Sequence, residues 1–244
     1  MGRTRSHPGP DLVTGAATLT DIITGHIALD WLCHFTDTFH EAQERLTDLD
    51  RLAGDGDFGT NIASALRRAG DGLPERNAAS FTSVFTAVSR GFLATGGTSG
   101  PLLGMWFRDI ARSSSLDGAV ANELAAGVAA GLATIQKLGG AKVGDNTLID
   151  ALSPASESLT DVAGRGGSVA VALNAAALAA QGGAESTGDL IASRGRATYV
   201  GELARGVHDP GAMMIALFFE SGASVTGGPD DRKSLAWFDS LIRV

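Results

Sequence analysis

Four glycine-bearing turns, each followed at once by a helical run, constrain this chain more than any other feature. They are Gly54-Asp55-Gly56-Asp57-Phe58-Gly59, Gly96-Gly97-Thr98-Ser99-Gly100-Pro101, Gly139-Gly140-Ala141-Lys142-Val143-Gly144-Asp145 and Asp209-Pro210-Gly211. A glycine-rich turn exposes backbone N–H groups, and the helix N-terminus behind it adds about half a positive charge, which together suit an anion. In an up-and-down bundle, loops one connection apart gather at the same end, so several of these turns can surround one phosphate-bearing ligand. Each turn alone reads better as a helix cap or turn. Four in succession favour a site, and they give the 33 glycines among 244 residues a purpose other than flexible linkage.

Between the turns the pattern is helical. Leu32, Phe35, Phe39, Ala42, Leu46 and Leu49 recur at spacings of three and four and form one stripe of a helix beginning near Leu19. Further helices are expected from Thr60 to Ala69, from Phe81 to Leu93 and after Pro101 through Ile110, then over 117–138, 147–162, 167–182, 211–221 and 232–243. The later ones are rich in Ala and Leu and lack β-branched alternation. The sum is an all-α fold of eight or nine helices with no convincing strand. Residues 1–18 read as a flexible extension, 19–226 as the helical domain and 227–244 as a helical tail. Gly127 and Gly131, inside a helical run, point to close helix packing.

The net charge of −8 argues against a nucleic-acid surface, which needs clustered Lys and Arg. A lone Cys33 makes no internal disulfide, the start of the chain lacks the apolar run of a secretory signal, and Val169 to Ala180 is too short to cross a bilayer. The expected setting is cytoplasmic, without membrane or nucleic-acid partners. Cys33, Trp106 and Trp237 read as core residues. His26, His34 and His40 lie on the first helix as packed or solvated groups, and His208 as a residue positioning the turn that follows it.

The acidic run holds the chemistry. Asp50, Asp55 and Asp57 fall within eight positions, separated by glycines, and repel one another unless a cation sits among them. All-oxygen ligands without Cys or His suit Mg²⁺. An EF-hand fails because its twelfth position is Leu66. An Asx-turn with a helix N-cap remains the competing reading. The chain has no Walker loop, and Gly54-x-Gly56-x-x-Gly59 lacks the preceding strand of a dinucleotide fold.

These blocks, with Lys142-Val143-Gly144-Asp145-Asn146-Thr147-Leu148-Ile149-Asp150-Ala151-Leu152, Gly195-Arg196-Ala197-Thr198-Tyr199-Val200-Gly201-Glu202 and His208-Asp209-Pro210-Gly211-Ala212, closely resemble the L subunit of dihydroxyacetone kinase, the DhaL or Dak2 domain, in the same order over roughly residues 19 to 222. The resemblance implies a barrel of eight antiparallel helices with ADP or ATP at one end. It implies two Mg²⁺ ions on Asp50, Asp55 and Asp57, and a phosphate-side loop of Gly97, Thr98 and Ser99. Asn61, Thr147, Arg196, Asp209, Pro210 and Gly211 would complete the nucleotide pocket. No covalent intermediate on this chain is expected: in the family the ketose is bound covalently to a histidine of a K-type partner subunit. A phosphotransferase-system phosphocarrier is a further candidate partner, and a homodimer is left open. Phe58 stands where many family members have His. Two other roles use the same pocket: a nucleotide-loaded regulatory module without turnover, and the nucleotide domain of a fatty acid kinase.

Overall fold

The computed structural model describes residues 21–114, 118–193, 205–227 and 236–241. The domain boundaries read at 18 and 227 border on residues outside that set. Among the described residues nine α-helices occur: α1 (Gly25–Ala53), α2 (Phe58–Asp71), α3 (Phe81–Leu93), α4 (Ser99–Ala111), α5 (Ala121–Gly139), α6 (Ile149–Gly164), α7 (Val169–Ser186), α8 (Pro210–Thr226) and α9 (Ala236–Leu241). Each of the first seven packs beside its successor, and α8 returns to α1. The ring therefore closes into a barrel of eight helices, the all-α class expected. No helix among the described residues is long and apolar enough to cross a membrane.

Local signals place the helix starts. Ser80 and Ser83 form a reciprocal capping box at α3, with Ser83 N–H donating to Ser80 Oγ at 3.1 Å and Ser80 N–H to Ser83 Oγ at 2.9 Å. Ser168 caps α7 and Thr24 caps α1. The first helix begins at Gly25 rather than near Leu19, because Ile22–Ile23 is extended. This β1 strand pairs antiparallel with β2 (Ala119–Val120), Ile22 opposite Val120 and Ile23 opposite Ala119. Two β-branched residues find strand partners about a hundred positions away, which local periodicity cannot show.

The stripe on α1 is buried as its spacing requires: Phe35, Phe39, Ala42 and Leu46 are inaccessible and Leu32 and Leu49 nearly so. Cys33, by contrast, is exposed and is not a core residue. It sits about 100° around the helix from Leu32, off the stripe. Trp106 is buried; Trp237 is half-buried and donates its indole N–H to Glu220 Oε2 at 2.5 Å. Gly131 of α5 lies directly against the Trp106 indole, where any Cβ would collide, and a Cβ at Gly127 would come within 2.9 Å of Ile110 Cα. Both helix-internal glycines therefore let α5 approach α4 closely.

Helix α8 is apolar on nearly every face and buried along almost its whole length. Its Phe218 meets aromatic rings from three other helices, with centroids at 4.6 Å for Trp31, 5.4 Å for Phe35, 6.5 Å for Phe85, 5.1 Å for Trp106 and 5.5 Å for Phe107. The Trp31 indole N–H donates to the Phe218 carbonyl at 2.8 Å, so the largest α1 side chain is satisfied as well as packed. Truncation at this hub leaves a cavity that several helices would have to move to fill. Phe218→Ala is expected to cost about 3–5 kcal/mol in urea unfolding. Leu178→Ala, at a 55% exposed position, should change stability by less than about 0.5 kcal/mol.

Candidate functional site

Alternation of the helices brings the N-termini of α2, α4, α6 and α8 to one end of the barrel, together with the C-termini of α1 and α5. All four glycine-bearing turns meet there around a single cavity of about 240 Å³. The α1–α2 turn contributes Asp50, Asp55, Asp57 and, one helical turn on, Asn61. The α3–α4 turn contributes Gly97, Thr98 and Ser99, the α5–α6 loop Thr147, and the start of α8 Asp209, Pro210 and Gly211. Eleven of the twelve residues singled out from the sequence thus share this cavity, and Arg196 lies outside the described residues.

The aspartates of the first turn are held differently from one another. Asp50, near the end of α1, accepts the Phe58 N–H on Oδ2 at 2.9 Å, which ties the end of α1 to the start of α2. Asp57 occupies the N-cap position of α2, but its carboxylate makes no capping hydrogen bond. The reading of Asp57 as a side-chain cap is therefore not what the structure shows, and the capping-type bond comes from Asp50. At α4, Thr98 also stands at the N-cap position without a side-chain cap, so its hydroxyl is not engaged with the helix end. Gly97, with φ of +81°, turns the chain into that helix beside Asn61.

The α5–α6 loop is built around two buried carboxylates that the sequence reading did not single out for a role. Asp145 Oδ2 accepts the Lys142 N–H at 2.9 Å and its Oδ1 accepts the Ser193 hydroxyl at 2.6 Å. Asp150 accepts the Gly144 N–H at 2.5 Å and the Thr147 N–H at 2.8 Å. These aspartates shape the loop that presents Asn146, Thr147 and Leu148 to the cavity. The apolar wall was not anticipated either: Ala53, Leu102, Ile135, Ala141 and Leu148 line it, with Phe58 and His208 nearby. Their side chains are of the types that fill the core, so only the fold distinguishes them.

Asp209 caps α8, its Oδ2 accepting the Ala212 N–H at 2.7 Å, while its own N–H donates to Thr187 Oγ1 at 3.0 Å. Burial pushes its carboxyl up to about 7; the Ala212 N–H opposes the shift, and the charges of Asp150 and Asp50 add to it. Four carboxylates thus line one cavity, and no Lys or Arg is among the described residues that line it.

The donor set of Asp50, Asp55 and Asp57 is all oxygen, which fits Mg²⁺ and not zinc. Among the described residues no three His, Cys, Asp or Glu side chains already form a metal-binding cluster. The three carboxylates share a cavity without forming a finished coordination sphere. That is compatible with an ion that takes one or two carboxylates and completes its shell with water and phosphate.

A closed helical barrel with glycine-bearing turns and carboxylates at one end defines the structural class. The chain belongs to the DAK2 domain family, whose model matches residues 52–224. It is 34% identical over 200 residues to the PEP-dependent dihydroxyacetone kinase 1 ADP-binding subunit DhaL of Listeria innocua, a match covering 80% of this chain and 93% of that protein. It is 32% identical over 194 residues to the corresponding PEP-dependent subunit of Escherichia coli, covering 79% and 92% respectively. Among solved structures, it is similar to the dihydroxyacetone kinase of C. freundii in complex with AMP-PNP and Mg²⁺, with a TM-score of 0.60 and 28% identity over 91% of this chain and 38% of that one.

The raised carboxyl of Asp209 carries a pH signature. A group whose native pKa lies above its unfolded value stabilises the fold below the unfolded pKa, and that stability is lost as pH rises through the native one. Without divalent cations or nucleotide, the Asp209 contribution to thermal stability should therefore decline from pH 4 toward pH 8, most steeply up to about 7. Asp209→Asn keeps a capping oxygen but removes the charge, so it should flatten this decline and melt higher than the parent at pH 8.

Proposed function

We propose that this chain is the nucleotide-binding phosphotransferase subunit of a dihydroxyacetone-type kinase, acting on a ketose presented by a separate K-type subunit. One observation carries the reading: in a member of the DAK2 domain family, Asp50, Asp55 and Asp57 share a single cavity with the α4 turn and the Asp209-Pro210-Gly211 start of α8. The subunit relatives that this chain nearly spans are named as ADP-binding, which supports the same assignment.

In this reading the nucleoside lies against Ala53, Leu102, Ile135 and Leu148, and its phosphates lie toward the start of α4. Backbone N–H groups there, with the Thr98 and Ser99 hydroxyls, donate to phosphate oxygens where the helix dipole is positive. Asn61, Thr147, Arg196, Asp209, Pro210 and Gly211 complete the nucleotide pocket. Asp50, Asp55 and Asp57 would hold Mg²⁺, two ions in the family pattern, which supplies the positive charge that lets a polyphosphate enter an acidic site and stabilises charge developing on the transferred phosphoryl group. The acceptor hydroxyl comes from outside, on the partner, and no group of this chain is assigned a covalent intermediate.

The phosphoryl source is either exchanging ATP or a resident ADP rephosphorylated in place by a phosphotransferase-system phosphocarrier. The relatives named as PEP- and PTS-dependent support the second.

Calorimetric titration with ADP should show binding that requires Mg²⁺. Asp55→Ala and Asp57→Ala should each weaken it at least about tenfold, a change of about 1.4 kcal/mol. Unchanged Mg²⁺–nucleotide affinity in both variants would overturn the ligand assignment. Phosphorylation of dihydroxyacetone should appear only when a K-type subunit is added, and turnover by this chain alone would contradict the two-subunit scheme.

A further inference from the structure

Asn146 combines two unfavourable features that the protein itself does not offset. Its backbone is left-handed, with φ of 56°, the only described non-glycine residue with positive φ. Asparagine tolerates that region better than most residues, but glycine adopts it freely, and Gly144 two positions earlier does so at φ of +94°. Its side chain is also buried: Asn146 is only 6% exposed, and its Oδ1 has no hydrogen-bond partner. A buried amide oxygen left unpaired destabilises the fold, and a strained backbone adds to the loss. Glycine at this position would remove both. The residue lies in the wall of the cavity, in the loop that Asp145 and Asp150 hold in shape, adjacent to Thr147 and Leu148.

We infer that Asn146 is a specificity-determining residue whose side-chain oxygen accepts a hydrogen bond from the nucleoside part of the bound nucleotide. The inference rests on the nucleotide-binding reading above and adds which part of the ligand is read. An amide oxygen requires a donor. Phosphate oxygens at neutral pH supply none, and the cations, which an amide oxygen can also ligate, are assigned in this reading to Asp50, Asp55 and Asp57. The donors of an adenine nucleotide are the exocyclic 6-amino group and the ribose hydroxyls. A buried acceptor matched to such a donor rejects analogues lacking it, because the oxygen is then left unpaired beside the ligand. Asn146 therefore contributes to the choice of nucleotide.

The test is calorimetric titration of the full chain, with Mg²⁺, against ADP, IDP, 2′-deoxy-ADP and 3′-deoxy-ADP. IDP replaces the 6-amino donor with an oxygen, and each deoxy analogue lacks one hydroxyl. The same series is run on Asn146→Gly, which keeps the left-handed backbone at no strain, and on Asn146→Ala, with thermal melts reporting that each variant is folded. The parent should bind ADP about tenfold more tightly than at least one analogue, and that preference should fall to within about twofold in both variants. Loss of the preference against IDP assigns the contact to the base, and loss against a deoxy analogue assigns it to the ribose. Equal affinity of the parent for all four nucleotides, tighter binding of IDP than ADP, or a preference that survives in Asn146→Gly would each overturn the role of Asn146 while leaving nucleotide binding intact. Failure of the parent to bind any of the four would instead overturn the nucleotide reading itself.

Discussion

The closure of the ring depends on α8. A helix apolar on every side is stable only when surrounded, and α8 meets that condition by lying between α7 and α1 while Phe218 reaches rings on α1, α3 and α4. The Trp31 to Phe218 carbonyl hydrogen bond fixes α1 against it in one register. The same helix begins with Asp209-Pro210-Gly211 at the cavity, so the packing that closes the barrel also sets the position of one wall of the site. Proline at the first helical position suits this start, because its missing N–H is one the helix would not have used.

The carboxylates of this end divide into two kinds. Asp145 and Asp150 are buried and accept backbone N–H groups from their own loop, so their charge is dispersed among fixed dipoles and they act as scaffolding. Asp50, Asp55, Asp57 and Asp209 border the open space, where burial pushes the Asp209 carboxyl above the ordinary carboxylate range. An acidic cavity that is to receive a polyanion needs a cation between the two. The apolar wall strengthens this requirement, because charges in a poorly hydrated pocket interact over a lower effective dielectric than in water.

The barrel was legible in the sequence to a large degree, because its helices are long, periodic and punctuated. The α1 stripe gave its buried face residue by residue, and α3 begins at Phe81 and ends at Leu93 as read. The gathering of the four turns followed from alternation alone. What was not legible has physical causes. The pairing of Ile22–Ile23 with Ala119–Val120 is non-local. The residue type of Cys33 points to the core, but its angle on α1 places it outside. Ala53, Leu102 and Ile135 are indistinguishable in composition from core residues, and only the ends of α1, α4 and α5 turn them into a cavity wall. Asp145 and Asp150 were visible as acids in a loop, but whether such an acid faces a ligand or its own backbone is decided by the loop conformation.

The up-and-down order has a kinetic consequence. Seven of the eight helix contacts around the ring join neighbours in sequence, and closing them costs less chain entropy than a contact across the whole domain. The eighth, between α8 and α1, spans nearly the whole domain. The cavity draws on the α1–α2 turn and on the start of α8, the two segments that this last contact brings together. A barrel in which α8 had not met α1 would lack the site, so acquisition of the ligand pocket during folding would report the moment at which the ring closes.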